Sequence, residues 1–193
     1  MKIAIIGAGN VGRTLGERWT RRGHEVQYGT REPAGSVRDA VSSSDVVVLA
    51  VAWKAVPAAL RDAGDMKGKI VLDPTVPLTA DYSALDPAAQ PSGGETVAAL
   101  IPGVPVVKIF NTTGNNNMAN PDYHGEAATM FYCGDDAAAK KTAAALASDL
   151  GFEPVDAGGL NQSHLLETLG LFWISLALKQ GMGREIAFKL LRR

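Results

Sequence analysis

The sequence predicts an α/β fold: a doubly wound parallel sheet with helices on both faces and a small C-terminal helical appendage. Three observations predict it. An apolar run over the first six residues stops at the glycine-spaced turn Gly7-Ala8-Gly9-Asn10-Val11-Gly12, where a helical pattern begins. Strand-like and helical segments then alternate along the chain. Val46 to Val51 is continuously apolar, as a strand covered on both faces should be.

Composition bounds the chemistry. A chain of 193 residues, 46% apolar and 20% charged, can bury one α/β core with little left over. Nineteen basic and twenty acidic residues leave a net charge of −1, which offers no electrostatic footing for nucleic acid or an anionic membrane. The single cysteine, Cys133, excludes an internal disulfide and fits a reducing compartment. It lies in the apolar run Met130–Cys133 and reads as core. The longest later apolar stretch, Leu165–Leu178, is interrupted by Glu167 and too short to span a bilayer. No targeting pattern is evident at the N-terminus, so a cytoplasmic protein is expected.

Each element follows from local pattern. In the first turn, Gly7 suits the tight bend, Gly9 a close approach of the backbone to a pyrophosphate, and Gly12 close packing of helix on strand. The helix N-terminus, with Asn10 and Val11, supplies free N–H groups to phosphate. Val11, Leu15 and Trp19 form one stripe of that helix, and Gly23 suits its end. The second strand, Glu25–Tyr28, ends at Gly29-Thr30-Arg31 with no carboxylate at its tip. A 2′-phosphate needs donors and positive charge there, so Thr30 and Arg31 point to NADP(H) rather than NAD(H). The competing reading is an arginine that solvates a loop or pairs with Glu32. A short helix is expected around Val37–Val41.

The apolar third strand ends at Ala50, Val51, Ala52 and Trp53, which should border the cofactor. Trp53 either covers the adenosine or fills space under the loop. A helix carrying Val56 and Leu60 follows, then the strand Lys69–Leu72, which breaks at Asp73-Pro74-Thr75. Residues 78–94 read as the longest irregular stretch, with a helix over Thr96–Leu100 and a strand over Val104–Phe110. Asp73, Thr75, Asn111 and Thr112 would converge with the glycine turn on one sheet edge. Asn111 and Thr112 either orient a carboxamide such as that of nicotinamide or satisfy a turn, whereas Asn115 to Asn117 read as a turn. Ala127–Cys133 is a strand, and Asp135 or Asp136 caps the next helix. A short strand over Phe152–Asp156 precedes a helix from Leu160 to Lys179. Its stripe of Leu165, Leu169, Phe172 and Leu176, with Leu166 and Trp173 beside it, needs cover, and a subunit interface would provide it.

No metal-ligand spacing and no nucleophile elbow is present. Hydride transfer between two cofactors asks for proximity and orientation rather than an acid or base, which fits this residue set and implies no protein catalytic residue. Ile5–Gly12, Gly29-Thr30-Arg31, Val106–Thr112, Cys133–Asp136 and Pro154–Gly158, in this order, resemble the successive motifs of the NADPH-dependent coenzyme F420 reductases and of the reductase domain of the STEAP metalloreductases. Leu165-Leu166-Glu167, Gly181-Met182-Gly183 and Phe188-Lys189 also resemble the F420 reductases. The resemblance implies an NADP-binding Rossmann domain over 1–113. It also implies a 114–193 extension that continues the sheet and forms an acceptor cleft, with F420 or a flavin as acceptor and a homodimer as the assembly. A flavin or ferric-chelate reductase is the nearest variant, and an NADPH-sensing module the non-enzymatic one. A β-hydroxyacid dehydrogenase would need a larger helical domain than the residues after Leu160 can build.

Overall fold

A computed structural model describes all 193 residues. Five strands, β1 (Lys2–Ile6), β2 (Glu25–Gly29), β3 (Val46–Leu49), β4 (Ile70–Asp73) and β5 (Val106–Lys108), pair in parallel in the order β2-β1-β3-β4-β5. The chain leaves β1 toward β2 on one side and returns to β3 on the other, so the sheet has its switch point between β1 and β3. Open α/β sheets bind their ligands at that crevice.

The helices lie in two layers. On one face, α1 (Asn10–Arg21) and α6 (Ala137–Leu150) cover Ile3, Ile5, Val46 and Val48, and the Trp19 indole donates to the Leu146 carbonyl at 3.0 Å. On the other face, α2 (Ser36–Ser42), α3 (Val56–Ala63) and α4 (Gly93–Leu100) cover Ala4, Ile6, Val47 and Leu49. Alternate residues of β1 and β3 thus feed opposite cores, which is why these strands are apolar throughout.

Past β5 the doubly wound sheet takes on one antiparallel pairing. Between β5 and β8 (Thr129–Gly134) lie only a short helix, α5 (Asn115–Ala119), and a two-stranded hairpin of β6 (Asp122–Tyr123) and β7 (Glu126–Ala127). No helix crosses back over the sheet, so the chain re-enters from the edge it left and β8 runs antiparallel to β5. After α6, β9 (Glu153–Asp156) pairs parallel to β8 and completes seven strands. Asp136 caps α6 by accepting from the Ala139 N–H at 2.7 Å. The expected turn at Asn115 to Asn117 is instead the first turn of α5.

The final helix, α7 (Ser163–Ile174), continues into a π-helical stretch over Ser175–Lys179. Leu166, Glu167, Gly170 and Trp173 are buried within the chain, while Leu165 and Phe172 of the apolar stripe face outward. Gly170 decides this, because a Cβ there would stand 2.5 Å from the Asn111 carbonyl oxygen. Only the side of the helix bearing glycine can lie against the end of β5. No helix of the chain is long and apolar enough to cross a membrane.

Candidate functional site

The glycine turn sits at the switch point and its geometry accounts for its sequence. Gly7 has φ +103°, and a Cβ on it would meet the Ala50 carbonyl oxygen at 2.3 Å; a Cβ on Gly12 would meet the Gly7 carbonyl oxygen at 2.1 Å. The β1 turn, the β3 end and the start of α1 therefore close together only around hydrogen atoms. Gly9, by contrast, opens onto free space, and no side chain caps α1. The first N–H groups of that helix are left for an anion, and no acidic residue in the first turn competes. The Arg13 Nε braces the turn by donating to the Ala8 carbonyl at 2.7 Å.

Two cavities meet at Val51, Ala52 and Lys54. One, of about 640 Å³, is lined by Gly7, Ala8, Thr30, Arg31, Val37 and Ala50. The other, of about 500 Å³, is lined by Val11, Trp53, Thr75, Tyr82, Phe110, Asn111, Trp173 and Arg184. Together they form a two-lobed groove along the C-terminal ends of β1 to β5. Arg31 is exposed at the outer lobe with no carboxylate within ion-pair distance, so Glu32 does not neutralise it; the Thr30 hydroxyl donates to the Glu32 carbonyl at 2.6 Å. Trp53 lines the inner lobe and, unlike its neighbours Ala52 and Lys54, not the outer one that Thr30 and Arg31 line.

Asn111 is the most telling residue of the inner lobe. It is 4% exposed, lines the cavity, and neither its side-chain nitrogen nor its oxygen has a hydrogen-bond partner. A buried amide left unsatisfied costs roughly 1–3 kcal/mol unless a ligand completes it. The preceding residue, Phe110, is held at φ +65°, a strained conformation for an aromatic residue, where the chain turns out of β5.

Two expected contacts do not reach the groove. Asp73 is fully buried and faces the core, because its register partner on β5 is Lys108, whose ammonium lies 2.7 Å from it. Thr112 is likewise buried and points its hydroxyl at the Met130 sulfur, 3.9 Å away. Asp73 acts on the site through Thr75: its Oδ1 accepts from both the Thr75 N–H, at 2.9 Å, and the Thr75 hydroxyl, at 2.6 Å. That fixes the turn carrying Pro74, Thr75 and Val76 to the cleft wall.

Lys108 is at the centre of a charged cluster. Its Nζ also lies 2.9 Å from Glu167 of α7 and donates to the Thr75 carbonyl at 2.9 Å. Glu167 in turn accepts from the Gly93 and Gly94 N–H groups, at 3.0 and 2.9 Å, at the start of α4. Burial works to lower the Lys108 pKa, but the two carboxylates outweigh it and the net shift is upward, so the lysine stays charged. Cys133 nearby has its thiol pushed up to about 11, chiefly by burial, and is no nucleophile. The site residues that the glycine motif does not announce are Lys54, Tyr82, Trp173 and Arg184; each comes from a segment remote from that motif in sequence.

The residues fit an NADP nucleotide on the structure's own terms: a side-chain-free turn at a helix N-terminus, an arginine without an ion-pair partner at the outer lobe, which Asp62 also lines, and an orphaned amide at the inner one. Similarity to known proteins agrees. Residues 2–37 and 27–77 match the family model described as "NADP oxidoreductase coenzyme F420-dependent". A crystal structure from Arthrobacter sp. FB24, described as a candidate F420-dependent NADP reductase, shares 32% identity and a TM-score of 0.90, with each chain covering 100% of the other. A hypothetical protein from Sinorhizobium meliloti shares 28% identity and a TM-score of 0.77, over 100% of this chain and 96% of that one. The metalloreductase STEAP3 of Rattus norvegicus is 28% identical over 182 residues; these make up 88% of this chain but only 36% of that protein, so the chain spans about a third of its length. The chain belongs to the F420-dependent NADP oxidoreductase family, a family of NADP-dependent oxidoreductases.

Proposed function

We propose that the protein transfers hydride between NADPH and a deazaflavin such as F420, or a related flavin, with the nucleotide laid along both lobes. The observation that carries this reading is the orphaned Asn111 amide at the inner lobe, which can both donate to and accept from a carboxamide. Gly7, Ala8, Gly9, Asn10, Val11 and Gly12 would hold the pyrophosphate against the N-terminus of α1. Thr30 and Arg31 would hold the 2′-phosphate, and Ala50, Val51 and Ala52 the nucleotide's middle. Beyond Asn111, the inner lobe offers Trp53, Tyr82 and Trp173 as walls for a planar ring. The bound nicotinamide supplies the hydride chemistry. The protein's part is to orient the ring through Asn111, keep the wall rigid through Asp73 and Thr75, and exclude water with apolar and aromatic side chains.

The reading extends to a cytoplasmic homodimer built on α7 and its π-helical continuation, where Leu165, Phe172 and Leu178 are each more than half exposed. The test of function is a panel of acceptors, F420, FMN, FAD and ferric chelates, offered to the purified protein with NADPH in excess. NADPH oxidation with a deazaflavin or flavin is expected; NADPH bound but oxidised by none of them leaves the sensing module as the better account. Turnover confined to ferric chelates would move the reading to a metalloreductase.

A further inference from the structure

We propose that Arg184 anchors an anionic side chain, a phosphate or carboxylate, on the planar hydride acceptor. The inference rests on the assignment of the inner lobe to that acceptor. Arg184 sits on a C-terminal strap that turns back toward the cleft through Gly181 and Gly183, at φ +72° and +76°. The strap is gripped by amides. Asn116 Nδ2 donates to the Arg184 carbonyl at 2.5 Å, and Asn117 Nδ2 and the Trp173 indole both donate to the Ile186 carbonyl, at 2.6 and 2.7 Å. The guanidinium itself donates to Asn115 Oδ1 at 2.8 Å. The three consecutive asparagines thus act together to hold this arginine on the cleft wall.

What they hold is a charge with nothing to neutralise it. No carboxylate lies within ion-pair distance of Arg184, and the adjacent Glu185 carboxylate is occupied by Asn116. The inner lobe is lined by two cations, Lys54 and Arg184, and by no acidic residue. Lys54 also borders the outer lobe and stands where the two meet, which suits the dinucleotide phosphates; Arg184 borders the inner lobe only. A neutral amide partner fixes the guanidinium without satisfying its charge, the arrangement expected where a second, anionic ligand arrives.

The test uses two probes with one ring: FMN, which carries a phosphate, and riboflavin, which does not. Each is titrated into NADP⁺-loaded protein and followed by flavin fluorescence. Wild type is expected to bind FMN more tightly by about ten- to a hundredfold, as for a hydrogen bond to a charged group. Arg184→Gln should erase the preference, Arg184→Lys should keep part of it, and NADP⁺ affinity should be unchanged in both. Equal binding of the two probes by wild type, binding of neither, or a preference that survives in Arg184→Gln would each overturn the proposal. So would a loss of NADP⁺ affinity, which would give the guanidinium to the nucleotide. Because these are equilibrium measurements, flavin binding without turnover would count against the proposed reaction and leave the anchor standing.

Discussion

Arg31 stands at the tip of β2, exposed and without an acidic partner, where a 2′-phosphate would arrive. Arg31→Ala should weaken NADPH binding by about 1.5–3 kcal/mol, the range for hydrogen bonds to charged groups, and leave NADH nearly unaffected. Isothermal titration with both nucleotides measures this; equal losses would remove Arg31 from nucleotide discrimination. At this scale much of the site was legible in the sequence, because the glycine turn and the β2 tip are local motifs whose geometry follows from a few neighbouring residues. Asp73 and Thr112 show the limit. Asp73 ends β4 and Thr112 follows β5 on the correct edge, yet such a position does not say which way a side chain turns. For Asp73 the answer depends on Lys108, 35 residues away and directly opposite in register.

At the scale of elements, the cluster of Asp73, Lys108 and Glu167 ties β4, β5, α4 and α7 together. Lys108→Met should cost about 3–5 kcal/mol, because it leaves two carboxylates buried without their cation. Adding Asp73→Asn and Glu167→Gln should return part of that loss, and urea unfolding monitors both. A pH series gives a second check. Since the folded lysine has a raised pKa, its contribution is fully present below the ordinary lysine pKa of about 10.4 and is lost as pH rises through the higher folded value. Wild type should therefore lose stability on alkaline titration above that point, and Lys108→Met should show less of this dependence. The cluster left a sequence signal: Lys108 and Glu167 are each a lone charge inside an apolar run, and such charges are buried only when paired. Nothing local, however, identifies one as the other's partner. The inner side of α7 is hidden in the same way, since apolar residues lie all round that helix and only Gly170 and Glu167 mark the side that packs on the chain.

For the whole molecule, the exposed apolar residues of α7 and its π-helical continuation carry the proposed subunit contact. Leu165→Asp with Leu178→Asp should convert a dimer to a monomer in light scattering while leaving the far-UV spectrum intact; a wild-type monomer would remove the assembly from the account. Fold class was readable at this scale from the alternation of elements. The reversal at β8 was not, because a strand's direction is set by whether the connection before it crosses the sheet, and residues 109–128 contain no long helix that would have announced the answer.

That reversal also divides the labour of the chain. Because β5 ends and β8 begins on the same edge, the first part of the connection between them, Phe110 to Met118, borders the inner lobe. The glycine turn and the Arg31 tip are built by earlier segments that share no strand with it. The two are nonetheless joined at one point, because Met118 of α5 is buried in the same core as Leu15 and Trp19 of α1, so a change at Met118 should be felt at the glycine turn while changes at the exposed hairpin should not.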